Sequence, residues 1–396
     1  MQITVRPGDT LWGYSILFGV PFPLIADSNP GINANTLTVG QQMQIPGYVW
    51  ADYTVKAGDS VWRIAKANGI SPDLLIRSNP GLQLHSLQIG ANIRVPQRIE
   101  TLVVQTDRIY GYKALQEDLE RLLGIYPFLQ RRSIGNSVMG KAIPEIRIGR
   151  GPGIVHFNAA IHANEWITAP LLVRFMNEYA LALTNSLDLK GEPSYPLYFD
   201  AVLSIVPMLN PDGVELVAEG LPREEPYRQN VLDINDGSTD FNGWKANIRG
   251  VDLNKQFPAL WERDAVNGPQ EPSPRDYSGS APLTEPEVQA LAKLTRESSF
   301  LRVLAFHTQG EVIFWGFEGL EPPESENLAN ELSNASGYRA VRYVDSTAGY
   351  KDWFIQNWRR PGFTVEFGLG VNPLPLGQLN DMYEAALSII LTAISK

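Results

Sequence analysis

The chain has 396 residues, 44% of them apolar and 19% charged, an ordinary globular texture with room for more than one packed domain. Its 33 basic and 43 acidic side chains leave a net charge of −10, which argues against a nucleic-acid polymer as ligand. It has no cysteine, hence no disulfide or thiolate metal site, and no apolar run approaches the roughly 20 residues of a membrane-spanning helix.

The first residues, Met1-Gln-Ile-Thr-Val-Arg-Pro-Gly-Asp, show neither a basic segment nor an apolar one, so no secretory signal is expected. An internal repeat follows. Val5-Arg-Pro-Gly8-Asp9-Thr10-Leu-Trp12 returns fifty residues later as Val55-Lys-Ala-Gly58-Asp59-Ser60-Val-Trp62. Ser28-Asn29-Pro30-Gly31 returns as Ser78-Asn79-Pro80-Gly81, and Leu37, Gly40, Ile45 and Pro46 return as Leu87, Gly90, Val95 and Pro96. The spacing predicts two small domains, 1–47 and 51–97, joined through Gly47-Tyr-Val-Trp-Ala. Each copy opens with a strand and an N-cap signal, Gly-Asp-Thr or Gly-Asp-Ser. A helix is expected next, with Trp12 and Ile16, or Trp62 and Ile64, on its buried face. A second helix stops at Ser-Asn-Pro, because the residue before proline leaves the helical region. A last strand closes each copy at Ile45-Pro46 or Val95-Pro96.

This β-α-α-β pattern resembles the LysM domain, which implies binding of glycans containing N-acetylglucosamine. Six basic against five acidic side chains over residues 1–96 suit a neutral sugar.

Residues 98–106 read as a linker to a third domain, 107–396. From Asp107 strands and helices alternate, the signature of an α/β fold. Helices are expected over Tyr110–Leu123, Ile167–Tyr179 and after Thr284. Strands are expected over Ile143–Ile148, Ile154–Ile161 and Ala201–Met208, and near 302–306, 312–316 and 363–367. The expected class is α/β, with a mixed, mainly parallel sheet flanked by helices. His162-Ala-Asn-Glu165 follows the strand at Ile161, His307 ends the run Val303–Phe306, and Glu366 lies in Phe363-Thr-Val-Glu366-Phe. Two imidazoles and a carboxylate make the open three-ligand set of a catalytic zinc, and a further carboxylate can work on water beside it. All these groups fall where strands end, the place where ligands collect in open α/β sheets. His85 and His156 join no such pattern and read as structural.

His162-x-x-Glu165, Asn210-Pro-Asp-Gly213, Gly250-Val-Asp252-Leu-Asn254, Phe306-His307 and Thr364-Val-Glu366-Phe stand in the order of the zinc carboxypeptidases, which residues 107–396 resemble. The resemblance implies one zinc per chain on His162, Glu165 and His307, with Glu366 as general base and proton shuttle. Asp252 corresponds to an aspartate that orients a zinc-bound histidine. Asn210-Pro-Asp-Gly213 reads as turn chemistry. The carboxylate-holding pair of the family is here Asn254-Lys255, with a point charge in place of the forked arginine. The arginine that polarises the scissile carbonyl falls near Trp244–Arg249, with Arg249 and Lys245 both candidates. The substrate-contacting tyrosine is either Tyr343 or Tyr350. In the enzymes this domain resembles, the residue just before this Asp352-Trp353 lines the floor of the specificity pocket; Lys351 there would suit an extra substrate carboxylate, and otherwise reads as a solvated lysine at a helix start.

Glycan-binding repeats on such an amidase point to peptidoglycan as the partner, with neither nucleic acid nor membrane. The full-length pattern resembles the γ-D-glutamyl-L-diamino acid endopeptidases of sporulating Bacillus-type bacteria. These cut between γ-D-glutamyl and meso-diaminopimelate. Two rival readings stand beside it: an ordinary carboxypeptidase releasing C-terminal L-residues, and a non-catalytic glycan-binding protein. The expected location is the cytoplasm or the spore, with action on the wall, or export by another route.

Overall fold

The computed structural model describes residues 1–33, 36–79, 81–82 and 87–395; Pro80 and His85 fall outside them. The chain divides into two compact units. One comprises Met1–Val103 with Glu120–Gln130 and Asn177–Tyr195, and the other Val104–Leu119, Arg131–Met176 and Pro196–Lys396.

The first unit carries the two repeats. Copy one has strands Gln2–Thr4 and Gln42–Gln44 around helices Leu11–Phe18 and Phe22–Asp27. Copy two has strands Tyr48–Thr54 and Asn92–Arg98 around helices Val61–Ala67 and Pro72–Ser78. Thr10 and Ser60 cap their helices, accepting from the amides of Gly13 and Arg63. The asparagine of each Ser-Asn-Pro is a clip. Asn29 donates to Ile25 O and Gln44 O and accepts from Gln44 N, and Asn79 does the same with Leu75 O, Arg94 O and Arg94 N. One side chain thus ties the second helix to the closing strand in both copies.

The expected buried face of the first helix is out of phase. Leu11, Tyr14 and Phe18 are buried, whereas Trp12 is 63% and Ile16 68% exposed. In copy two Val61, Ile64 and Ala65 are buried and Trp62 is 57% exposed. A helix of seven or eight residues buries only one stripe, and residues three and four apart hold it. The unit also takes in helix ends from later in the sequence. Gly47, at φ 73°, donates to Ile125 O, and a Cβ there would come within 2.9 Å of Thr184 Cβ. Arg98 donates to Thr184 O at 2.8 Å.

The second unit is built on an eight-stranded sheet, numbered here β1 (Gln130–Asn136), β2 (Ala142–Ile148), β3 (Ile154–Ala159), β4 (Val202–Val206), β5 (Phe300–His307), β6 (Val312–Phe314), β7 (Arg339–Val341) and β8 (Gly362–Glu366). The spatial order is β7-β6-β8-β5-β3-β4-β2-β1. The central pairs β8–β5, β5–β3 and β3–β4 are parallel, while β6–β8 and β4–β2 are antiparallel. This is the mixed, mainly parallel sheet expected. Its flanking helices include Tyr112–Ile125, Thr168–Asn185, Pro286–Glu297, Tyr350–Trp358 and Leu379–Ser395. His156 is a core residue: it stacks on Phe300 with centroids 4.6 Å apart, and Nδ1 lies 3.0 Å from Ser204 Oγ. Burial pushes its imidazole down to about 3. No helix among the described residues is long and apolar enough to cross a membrane.

Glu287 is buried on helix Pro286–Glu297, accepting from Val138 N at 3.1 Å and Asn247 Nδ2 at 3.4 Å. Burial outweighs these bonds and pushes its carboxyl up to about 7. The folded state therefore keeps a proton that the unfolded chain gives up near the ordinary carboxylate value. The stabilisation it gives is complete below that value and lost as pH rises to about 7, by roughly 2–3 kcal/mol. Glu287→Gln should flatten this part of the pH profile in denaturant titrations from pH 4 to 8. An unchanged slope would show that Glu287 is ionised throughout.

Candidate active site

Three strand ends and one turn converge on a cavity of about 470 Å³ lined by His162, Glu165, Lys245, Arg275, Thr308 and Glu366, among others. β3 ends where Ala160 takes φ 48°, and the chain enters the short helical turn Ala163–Glu165. Thr168 locks this turn: its Oγ1 accepts from Ala160 N and donates to Glu165 O. Asn210 locks it from the other side. It caps helix Pro211–Glu219 by accepting from Gly213 N, and its amide donates to Ile161 O and Ala246 O, each at 3.1 Å. Asn210-Pro-Asp-Gly213 is thus the capped start of a helix rather than the turn expected from sequence, because Pro211 suits the first helical position, and it holds the backbone that presents His162. His307 ends β5 and Glu366 ends β8, and the two are direct register partners on adjacent parallel strands.

His162, Glu165 and His307 are buried together, with their donor atoms within 4.8 Å of one another. Glu165 faces both rings: Oε1 is 2.8 Å from His162 Nδ1, and Oε2 is 3.0 Å from His307 Nδ1 and 3.2 Å from Thr308 N. The two Nδ1 atoms are only 3.2 Å apart. At that distance either one ring nitrogen carries a proton for the other or a cation stands between the two lone pairs. A nitrogen–nitrogen–carboxylate donor set fits zinc, and it leaves a coordination position open.

Electrostatics bind the shell behind these ligands. His162 Nε2 lies 3.2 Å from Asp252 Oδ1, and Lys245 Nζ lies 3.4 Å from Asp252 Oδ2. Burial alone would depress His162, but Glu165 and Asp252 hold it up at about 9. Burial leaves His307 below its ordinary value. Burial opposes ionisation of Glu165 and Asp252, yet the imidazoles keep Glu165 low, and Lys245 with His162 keeps Asp252 low. Glu366, half-buried, is pushed up to about 8 by desolvation and by the charge of Glu165. A dication on the ligands favours the deprotonated form of each of these groups.

The structure separates the other expected site residues. Lys245 comes to the cavity because Ala163 N donates to its carbonyl. Arg249 does not: the tight turn from Asn247 to Gly250 sends it to Glu285 Oε2, 3.5 Å away, and it is exposed. Tyr350 is fully buried, with its hydroxyl 3.0 Å from Thr295 Oγ1 and its ring against Phe257, so it is a core residue and not a substrate contact. Tyr343 is exposed beside a cavity of about 330 Å³ that Asp352, Gly316 and Arg263 also line. Lys351 is buried rather than solvated. It donates to Gly316 O at 2.8 Å and pairs with Asp352. Asn254 Oδ1 accepts from Tyr350 N, and Lys255 donates to both Asp264 oxygens, at 2.9 and 2.7 Å, which offsets its charge. Lys255 lines a further cavity, about 540 Å³, together with Arg263 and Arg275. Arg275, which stands in no sequence motif, lines this cavity and that of His162. It lies in a stretch without regular structure, pinned where Pro274 O accepts from Lys245 N and Ala246 N.

Asp252 touches His162 and lies outside the donor set, so its expected effect on a metal runs through that imidazole. Asp252→Asn should weaken zinc binding about 10- to 100-fold while His307→Ala loses the metal altogether. Metal content by atomic emission after dialysis against a graded chelator checks both. Wild-type zinc retention in Asp252→Asn would remove that residue from the site.

The zinc carboxypeptidase profile matches residues 115–370, and the LysM domain profile matches 3–46 and 53–96. The chain is 57% identical over 394 residues to γ-D-glutamyl-L-diamino acid endopeptidase 1 of Lysinibacillus sphaericus, covering 100% of each. It is 42% identical over 295 residues to the uncharacterised protein YqgT of Bacillus subtilis (strain 168), covering 74% of this chain and 78% of the other. Bovine thrombin-activatable fibrinolysis inhibitor shares the fold, with a TM-score of 0.56 at 18% identity over 73% of this chain and 97% of that one. Site, fold and sequence agree: the chain belongs to the zinc carboxypeptidase family and carries two LysM domains ahead of its peptidase domain.

Proposed function

We propose that this zinc peptidase cuts the amide between γ-D-glutamyl and meso-diaminopimelate in peptidoglycan stem peptides, with the LysM domains holding the wall glycan. The observation that carries the reading is the full-length identity of 57% to an enzyme named for that class of bond. When bound, zinc supplies a Lewis acid that polarises the amide carbonyl and makes water more acidic. Glu366, at the cavity, accepts the proton of the attacking water and passes it to the leaving nitrogen. Lys245, half-buried and held beside Asp252, offers an ammonium to the developing oxyanion.

Selection comes from the charges around this centre. A γ-glutamyl amide carries a free α-carboxylate on its acyl side, which an ordinary L-peptide lacks at that distance. Arg275, exposed at the same cavity, is the cation suited to it. The distal carboxylate of diaminopimelate suits Arg263, which lines the cavity beside Asp352; its ion pairs with Glu318 and Asp345 are solvent-exposed, so a substrate carboxylate competes for it at little cost. Lys351, paired with Asp352, supports that cavity from behind, Lys255 lines its neighbour, and Asn254 holds the start of the helix that carries Lys351. The place of action is the cell wall, in keeping with the LysM domains. The resemblance to enzymes of sporulating bacteria supports a role in sporulation.

Glu366→Gln should keep zinc and the fold while kcat falls by about 10²- to 10⁴-fold, since the amide cannot accept a proton. Near wild-type turnover would mean that another group is the base. Purified disaccharide tripeptides should yield free diaminopimelate, identified by mass spectrometry. Stems with lysine in its place should react at least about tenfold more slowly, the worth of one partly desolvated charge-assisted contact, and Arg263→Gln should narrow the gap. Equal rates on both stems, or a preference for apolar C-terminal residues of L-peptides, would support an ordinary carboxypeptidase instead.

A further inference from the structure

We propose that the cleft between the two repeats is a saccharide site in its own right, built for a sugar that bears a carboxylate. The inference rests on the reading of the repeats as glycan-binding modules. The cleft is about 430 Å³, within the range of small-ligand sites. One wall comes from copy one. Ile3 and Met43 turn inward, so Gln2, Thr4 and Gln42 are left on the outer side of the strand pair. Gln42 Nε2 donates to Thr4 Oγ1 at 3.0 Å, which fixes both side chains at the cleft. The other wall comes from copy two and from the strand that joins the copies. There the Arg94 guanidinium lies over the Trp50 ring, 5.0 Å from its centroid. Asp52, the strand partner of Arg94, lies two residues along from Trp50, yet the guanidinium rests on the ring.

Each part has a use for such a ligand. The Trp50 indole holds the guanidinium against the cleft wall, and the amides and hydroxyl of the opposite wall suit the hydroxyl and N-acetyl groups of a pyranose. Arg94 offers a forked, permanently charged donor for a carboxylate. Ser78 also lines the cleft; it is only 7% exposed, and its Oγ has no hydrogen-bond partner among the described residues.

The duplication supplies an internal control. Ser28 in copy one has the same unpartnered hydroxyl, so the hydroxyl by itself distinguishes nothing. The charges differ. Arg77 and Arg94 stand where copy one has Asp27 and Gln44. Arg77 is engaged by Asp9 and Asp73, at 2.8 and 2.9 Å, and braces the two copies together. Arg94 is the cation left facing the cleft. Two sources share the ligand chemistry: the lactyl carboxylate of a muramic acid stripped of its peptide, and the carboxylates of a peptide still attached to it.

The test is calorimetric titration of the full chain carrying Glu366→Gln with three probes: chitotetraose, a peptide-free tetrasaccharide with alternating muramic acids, and the same tetrasaccharide bearing tripeptides. At least one acidic probe should bind about fivefold or more tighter than chitotetraose. Adding Arg94→Gln should abolish that advantage and leave chitotetraose within about twofold, because Arg94 is exposed and its charge meets only the acidic ligand. The probe that loses its advantage identifies the source of the carboxylate. Arg94→Lys, which keeps the charge but not the fork, should fall between the two. An advantage unchanged in Arg94→Gln, or absent from the outset, overturns the proposal while leaving the repeats as neutral-glycan binders. Failure of all three probes overturns the glycan-binding reading itself.

Discussion

The peptidase unit is organised around a buried carboxylate held between two imidazoles. A lone ionised glutamate in such a place is strongly disfavoured. Glu165 is tolerable because His162, His307 and the amide of Thr308 all face it. That requirement fixes the surrounding backbone. β3 must end in a sharp turn to present His162 and Glu165 three residues apart, and β5 must stop at the same level. Thr168 and Asn210 hold the turn, and the parallel register of β5 with β8 then brings Glu366 alongside His307. A second charge pair, Lys245 with Asp252, stands behind the first and ties the irregular stretch after residue 240 to the ligands.

Much of this was legible in the sequence, because catalytic groups at strand ends leave a local signature: an apolar run followed at once by His or Glu. His162, Glu165, His307 and Glu366 all carry it, and the structure brings them together. The choice between Lys245 and Arg249 had no such signature. It depends on a backbone bond from Ala163 to Lys245 and on a reversal at Asn247–Gly250, both products of tertiary structure. Arg275 was invisible for the same reason. Lysines mislead in the opposite sense: sequence alone leaves Lys351 and Lys255 as free charges, but Asp352 and Asp264 are folded onto them. Of the two tyrosines near enough in sequence to meet substrate, Tyr350 is turned into the core by its helix. The exposed tryptophans of the repeats mark a further limit. In a two-turn helix a one-residue change of phase moves a large side chain from core to surface, and composition does not reveal which phase wins.

The repeats show how duplication preserves architecture while freeing chemistry. The Asn29 and Asn79 clips, the Thr10 and Ser60 caps and the buried aliphatic stripe recur in both copies, because each copy must close its own small core. The residues that face outward diverged in charge, from Asp27 and Gln44 to Arg77 and Arg94. Two duplicated modules thus sit on one chain with a zinc carboxypeptidase domain, each with its own small core.

The most direct test of the central claim is an anomalous-scattering map at the zinc edge from crystals grown with the metal. The account predicts a single strong peak per chain, bounded by His162 Nδ1, His307 Nδ1 and the Glu165 carboxylate, with Glu366 beside it and outside the ligand set. A peak elsewhere, or one that recruits Glu366 as a fourth protein ligand, would contradict it.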